Sequence, residues 1–154
     1  MDIQYRAIAP ADHAQITLFI KELYREDPGG EDTSDAKIQR TFEELGTHPD
    51  KGACVVFEKD GALAGYALLI NFWSNERGGN VLIIDEIYVA PPFRGQGIAT
   101  DFMQHLMRTR FNDAVVLQLE VTPINIGARK LYERLGFKPH YNDILTLPLP
   151  AERE

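Results

Sequence analysis

The sequence predicts a mixed α/β fold in which antiparallel strands come first and a strand–helix–strand unit follows. Three observations carry this. Apolar runs of strand length meet across Asp60-Gly61, a dipeptide suited to a tight hairpin. A glycine turn, Arg94-Gly95-Gln96-Gly97, leads from one apolar run directly into an amphipathic helix. A further strand follows that helix, and such a crossover makes the strands at 81–89 and 114–121 parallel neighbours.

The elements read in order. Residues 3–8 alternate and open the chain as a strand. Pro10-Ala11-Asp12 starts a helix running to about Arg25, with Ile16, Phe19, Ile20 and Leu23 on one face. Residues 27–32 form a loop by composition. Ser34 caps a second helix ending near Gly46, with Ile38, Phe42 and Leu45 facing inward. Strands at 53–59 and 63–73 flank Asp60-Gly61, and Gly78-Gly79 turns the chain into a third strand at 81–89. Ala90-Pro91-Pro92-Phe93 stops it. The next helix offers Ala99, Phe102, Met103, Leu106 and Met107 to the core. After the strand at 114–121, a helix spans 125–135, closed by Gly136 as a left-handed cap. Short strands at 137–141 and 144–149 are expected to finish the fold. No repeat, low-complexity tract or dividing linker appears, so residues 1–154 are read as one domain.

Composition narrows the partners. The hydrophobic fraction of 44% and charged fraction of 25% are those of a globular domain able to bury a core unaided. Sixteen Lys and Arg against twenty-three Asp and Glu give a formal charge of -7, which argues against nucleic acid or an anionic membrane as partner. The N-terminus lacks a basic, apolar leader, and the longest largely apolar stretch, 62–73, is too short to span a bilayer. A cytoplasmic location is expected. The single cysteine, Cys54, lies in an apolar run and reads as a buried core residue. His13, His48, His105 and His140 show no metal-ligand spacing, and no metal is expected.

The glycine turn carries the chemistry. Glycines between a strand and a helix let the backbone approach a ligand and aim consecutive N–H groups outward. Together with the helix dipole they suit a pyrophosphate, to which Arg94 adds positive charge and Thr100 a hydroxyl. A P-loop would need Gly-Lys-Ser/Thr, which is absent. A dinucleotide fingerprint would want glycine at Thr100 and an acid about twenty residues on, which Glu120 roughly supplies. That unit usually opens its domain, whereas this turn follows several antiparallel strands. A turn that binds no ligand is the remaining alternative.

Arg94-Gly95-Gln96-Gly97-Ile98-Ala99 resembles the pyrophosphate motif of the GNAT superfamily of N-acetyltransferases, Gln/Arg-x-x-Gly-x-Gly/Ala. The strand ending Ile87-Tyr88-Val89 resembles that family's strand four. The segment Asn125-Ile126-Gly127-Ala128-Arg129-Lys130-Leu131-Tyr132-Glu133-Arg134-Leu135-Gly136-Phe137 resembles its closing helix, Asn-x-x-Ala-x-x-x-Tyr-x-x-x-Gly-Phe. The two motifs are independent and correctly ordered. The resemblance implies a central, mostly antiparallel sheet whose parallel strands four and five splay around acetyl-CoA, with helices on both faces. It implies acetyl transfer to a primary amine of a small molecule such as a diamine, polyamine or lysine-like metabolite, and a homodimer. A protein or peptide acceptor, or a CoA-binding module without turnover, is the alternative.

Such chemistry sets three tasks. A lysine-like amine, with an ordinary pKa of about 10.4, must be neutral to attack, which a general base assists. The thioester carbonyl oxygen wants a donor, and the departing thiolate a proton. Carboxylates in the strand Val81-Leu82-Ile83-Ile84-Asp85-Glu86-Ile87-Tyr88-Val89 are costly to bury, which singles out Asp85 and Glu86. Only one is expected to face the reacting centre unless a bulge intervenes. This strand also resembles that of diamine and thialysine acetyltransferases, which reads Leu-Glu-Asp. On that match Asp85 replaces the family's base and Glu86 its neighbouring acid, with the two carboxylates swapped. By the same resemblance Tyr132 protonates the thiolate, and Ile87, Tyr88, Val89, Gly95, Gln96, Gly97, Ile98, Ala99, Thr100 and Ala128 join Arg94 around the cofactor. Asn125 is both a good helix cap and a cofactor contact in that family. Phe72, Trp73 and Tyr88 read as core aromatics or as walls of an acceptor pocket, and Glu26, Asp27, Glu31 and Asp32 as an acidic loop near the acceptor or as solvated loop charge.

Overall fold

The computed structural model describes residues 2–28 and 32–151. Gly29, Gly30 and Glu31 of the expected acidic loop lie outside them. Five strands, β1 (Gln4–Ala7), β2 (Gly52–Lys59), β3 (Ala62–Ser74), β4 (Gly79–Val89) and β5 (Ala114–Leu119), form one sheet in sequence order. The first four are antiparallel; β4 and β5 are parallel. The helices α1 (His13–Glu26) and α2 (Asp35–Thr47) precede β2, α3 (Ile98–Thr109) forms the crossover from β4 to β5, and α4 (Ile126–Arg134) follows β5.

The helices divide between the two faces of the sheet. Ile16, Phe19, Ile20, Ile38 and Phe42 from α1 and α2 pack with Cys54, Val56, Tyr66, Leu68 and Tyr88. On the other face Ile98, Phe102, Met103 and Leu106 of α3 and Tyr132 of α4 pack with Val55, Phe57, Ala67, Leu69, Leu82 and Ile84. The α3 stripe is rotated from the expected one: Ile98 is buried, Ala99 is half-buried and Met107 is 41% exposed. Ser34 caps α2 by accepting from the Lys37 amide at 3.2 Å. At the end of α4, Phe137 N–H donates to Tyr132 O and Gly136 N–H to Glu133 O, at 3.1 and 3.0 Å. This is a Schellman closure, and Tyr132 meets Phe137 ring to ring at 5.9 Å. Among the described residues no helix is long and apolar enough to cross a membrane.

Two sequence expectations fail here. Residues 137–141 and 144–149 form no strand, and Tyr141, Ile144, Leu145, Leu147 and Leu149 are exposed. The outer edge of β5 carries no strand among the described residues. Phe72 and Trp73 are 55% and 71% exposed, so they are not core. They pair with Val81 and Asn80 at the start of β4, far along the strand from residues 85–89, so they wall no pocket there.

Candidate active site

The site is made by one irregularity in β4. Leu69 pairs with Ile84 and Leu68 with Glu86, which leaves Asp85 as an extra residue opposite β3. Such a bulge resets the alternation of faces. Before it, Leu82 and Ile84 face α3; after it, Ile87 and Val89 do, while Tyr88 faces α1. A regular strand would have placed Glu86 and Tyr88 on the α3 face with Ile84. The parallel ladder to β5 ends at the same place, with Ile84 opposite Leu119 as its last pair. β4 continues to Val89 bonded to β3 alone, so residues 85–89 form one wall of a notch between the two parallel strands.

The backbone of that wall is available on alternate residues. Ala90 N–H donates to Ala64 O at 2.8 Å, so the residues two and four before it, Tyr88 and Glu86, also turn their backbone groups to β3. Ile87 and Val89 then turn theirs to the notch. Tyr88, expected beside the cofactor, has its backbone on β3 and its buried ring against Phe19 and Tyr66. Gly65 keeps this half of β4 close: a Cβ there would lie 2.0 Å from Tyr88 O.

The notch runs to the glycine turn. Gly95 and Gly97 hold φ of 75° and 77°, a left-handed backbone that glycine adopts without strain. No side chain caps α3, whose first intrahelical donor is Asp101 to Gly97 O. The amides of Ile98, Ala99 and Thr100 are therefore left for an anion. Arg94 does not join them. Its Nε donates to Val89 O at 2.8 Å, its Nη2 binds the Glu26 carboxylate at 2.8 and 3.1 Å, and the guanidinium lies 5.3 Å from the Tyr88 ring centre. The cation beside the turn is instead Lys59 at the end of β2, bonded to Gln96 Oε1 at 2.5 Å. Nothing in its sequence neighbourhood singled out Lys59.

The carboxylates divide between the sheet faces. Glu86 is half-buried and accepts from Tyr66 Oη on Oε1 and Tyr24 Oη on Oε2, each at 2.8 Å. Burial raises its carboxyl above the ordinary range and the Asp85 charge adds to this, while the two phenols pull it back. Asp85 retains solvent contact, yet crowding by protein on its flanks and then the Glu120 charge raise its carboxyl too. Glu120 directly follows the end of β5, so two carboxylates stand at the mouth of the notch. Asp27, at the end of α1, accepts from Thr122 Oγ1 at 2.8 Å and ties α1 to the loop after β5. Tyr24 and Tyr66 escaped sequence reading, although a tyrosine in an apolar strand and a carboxylate in the next each want a partner.

Tyr132 is buried on the α3 side, with no hydrogen bond from its hydroxyl to any described residue. Burial and, second, the Asp27 charge raise its phenol, which therefore holds its proton at neutral pH. Asn125 caps α4: its Oδ1 accepts from Ala128 N–H at 3.2 Å, so that amide is not free for a ligand. Cys54 is buried and its thiol pushed up to about 12, an inert core position.

Comparison with known proteins accords with this geometry. The acetyltransferase (GNAT) family model matches residues 17–137. A streptothricin acetyltransferase of Streptomyces lavendulae is 35% identical over 129 residues, covering 83% of this chain but only 59% of that protein's length. Among solved structures, a possible acetyltransferase from Clostridium difficile 630 superposes with a TM-score of 0.83 at 23% identity, over 96% of this chain and 98% of that one. An aminoglycoside N-acetyltransferase in complex with CoA gives 0.75 at 21% identity, over 96% and 95%. At those identities the structures establish the fold. Taken with the match along most of its length, they leave one conclusion: the chain belongs to the GNAT acetyltransferase family, whose cosubstrate is acetyl-CoA.

Proposed function

We propose that this protein transfers the acetyl group of acetyl-CoA to a primary amine of a small cationic acceptor. The observation that carries the reading is the release of β4 from β5 beyond Ile84 and Leu119, in line with an uncapped helix. The amides of Ile98, Ala99 and Thr100, with Gly95, Gln96, Gly97 and Lys59, suit the pyrophosphate of acetyl-CoA, and the notch-facing backbone groups of Ile87 and the N–H of Val89 its amide-bearing arm, the Val89 carbonyl being held by Arg94. Acetyl-CoA supplies the activated acyl group as a thioester. Because α3 lies on one face of the sheet, its ligand enters from that face and leaves the α1 face to the amine.

On that geometry the chemical groups stand on opposite sides. Glu86, on the α1 face, takes the proton of the attacking amine. A notch-facing amide of Ile87 or Val89 donates to the carbonyl oxygen as it gains charge. Tyr132, on the α3 face, gives its proton to the sulfur as the C–S bond breaks. Asp85 opens the bulge and, with Glu120 and Asp27, surrounds the notch with negative charge, which favours a cationic acceptor. A relative named for streptothricin and a fold neighbour named for aminoglycosides make amine-bearing antibiotics the first acceptors to try, beside diamines and lysine-like metabolites. Calorimetric titration with acetyl-CoA, then thiol release over such a panel and over peptide N-termini, tests the reading. Saturable binding and turnover on a small amine are expected, with Tyr132→Phe losing about a hundredfold or more in kcat while still binding acetyl-CoA. Failure to bind acetyl-CoA overturns the reading; binding without turnover replaces it with a CoA-binding module.

We also infer a homodimer, with residues 1–154 of each copy acting as one domain. Five large apolar side chains exposed at 141–149 support it, since they supply area on the order of the 800 Å² per partner of a standard interface. Sedimentation of the full chain and of one ending at residue 140 tests this: a dimer that becomes a monomer is expected, and a monomeric full chain contradicts it.

A further inference from the structure

Glu86 is held, on both oxygens, by groups from two different elements. Tyr66 reaches Oε1 from β3 and Tyr24 reaches Oε2 from the last turns of α1, each at 2.8 Å. With one donor per oxygen, rotation of the carboxylate breaks a bond, so its plane is fixed. The two donors differ in freedom. Tyr66 is fully buried, 6.2 Å from the Tyr88 ring centre, whereas Tyr24 is 36% exposed. From these facts, and resting on the assignment of Glu86 as base, we infer that Tyr66 and Tyr24 are positioning residues for Glu86. Tyr66 is its fixed anchor, and Tyr24 is the partner at the acceptor's edge that shares Oε2 with the incoming amine.

The consequence for proton transfer has a definite sign. An ionised carboxylate can only accept, so the two phenol O–H groups donate to it, and both bonds favour the ionised form against the effect of burial. The other titratable groups facing it are Asp85 on β4, whose charge works the opposite way, and Cys54 on β2, which is neutral. Neither replaces a lost phenol. Removing the Tyr66 hydroxyl therefore moves protonation of Glu86 to higher pH, and the acid limb of kcat/KM moves with it. Tyr24 lies where the amine must pass, so its loss also changes the KM for the amine.

The experiment is the pH profile of kcat/KM for the wild-type protein, Tyr66→Phe, Tyr24→Phe and Glu86→Gln, with acetyl-CoA and the best amine of the panel. Tyr66→Phe should displace the acid limb upward, with a loss of about tenfold on that limb, which is the size of one charge-assisted hydrogen bond, and an unchanged KM for acetyl-CoA. Tyr24→Phe should give a displacement of the same sign with the larger change in the amine's KM. A merely structural tyrosine would lower activity evenly across pH. If Glu86→Gln is inactive and neither tyrosine variant moves the limb, the positioning role is overturned while the base assignment stands. If Glu86→Gln retains full turnover, the base assignment falls and takes the positioning role with it. Should Tyr66→Phe fail to fold, the profile of Tyr24→Phe at the protein surface decides alone.

Discussion

The two halves of β4 are one strand put to two uses. From Asn80 to Ile84 it is bonded on both sides, and Val81, Leu82 and Ile84 are buried. From residue 85 on it keeps β3, loses β5 and carries two carboxylates whose ionised forms burial disfavours. One residue separates the regimes: Asp85, the extra residue of the bulge. The first half stabilises the fold by burial; the second tolerates costly charge and unpaired backbone because a ligand can use them. Stability and reactivity are thus divided along a single strand, and substitutions should sort by which half they touch.

The largest expected effect falls in the second half. Glu86→Gln should lower kcat by about a hundredfold to ten-thousandfold, the usual contribution of a general base, with little loss of acetyl-CoA affinity. Single-turnover and steady-state assays separate those quantities. In the first half, Leu82→Ala should cost about 2–5 kcal/mol of stability, since Leu82 is fully buried, while the folded fraction binds acetyl-CoA normally. Denaturant unfolding measures it. If instead Leu82→Ala impaired chemistry at unchanged stability, the division would fail. At the glycine turn, Gly97→Ala forces a left-handed conformation on a residue with a side chain, at about 1–2 kcal/mol, and should weaken acetyl-CoA binding in titration.

The smallest effect sharpens the comparison through pH. The Glu86 carboxyl is raised in the folded state, so folding favours its protonated form. Stability from that proton is present below the unfolded carboxylate pKa and is lost as pH rises through the folded one. Glu86→Gln keeps the shape without the charge. Its Tm should exceed that of the wild type at neutral pH, and the gap should close as pH falls below the ordinary carboxylate range. A variant less stable than the wild type at neutral pH would mean that the two tyrosine bonds outweigh burial.

Much of this was legible in the sequence, because the signals are local. Apolar periodicity, Asp60-Gly61, the Ser34 cap, the Gly136 closure and the glycine turn each act within a few residues. What was not legible depends on pairing across the chain. The bulge at Asp85 exists only relative to β3, so the sequence left open which carboxylate faced which way. Arg94 looked like a pyrophosphate ligand because its nearest sequence neighbours are glycines, yet Glu26, sixty-eight positions away, claims it, and Lys59 takes the place beside the turn. The apolar run at 144–149 reads as a closing strand, but a local pattern does not specify whether a neighbouring strand is there to receive it, and its side chains stay exposed.

The measurement that bears most directly on this account is an amide-resolved NMR titration of the protein with acetyl-CoA. Saturable shifts are expected at Ile87, Val89, Gly97, Ile98, Ala99 and Thr100, with the doubly bonded residues Val81, Leu82 and Ile83 nearly still. Saturable shifts confined to α2 or to the start of β4, or no saturable shifts at all, would contradict it.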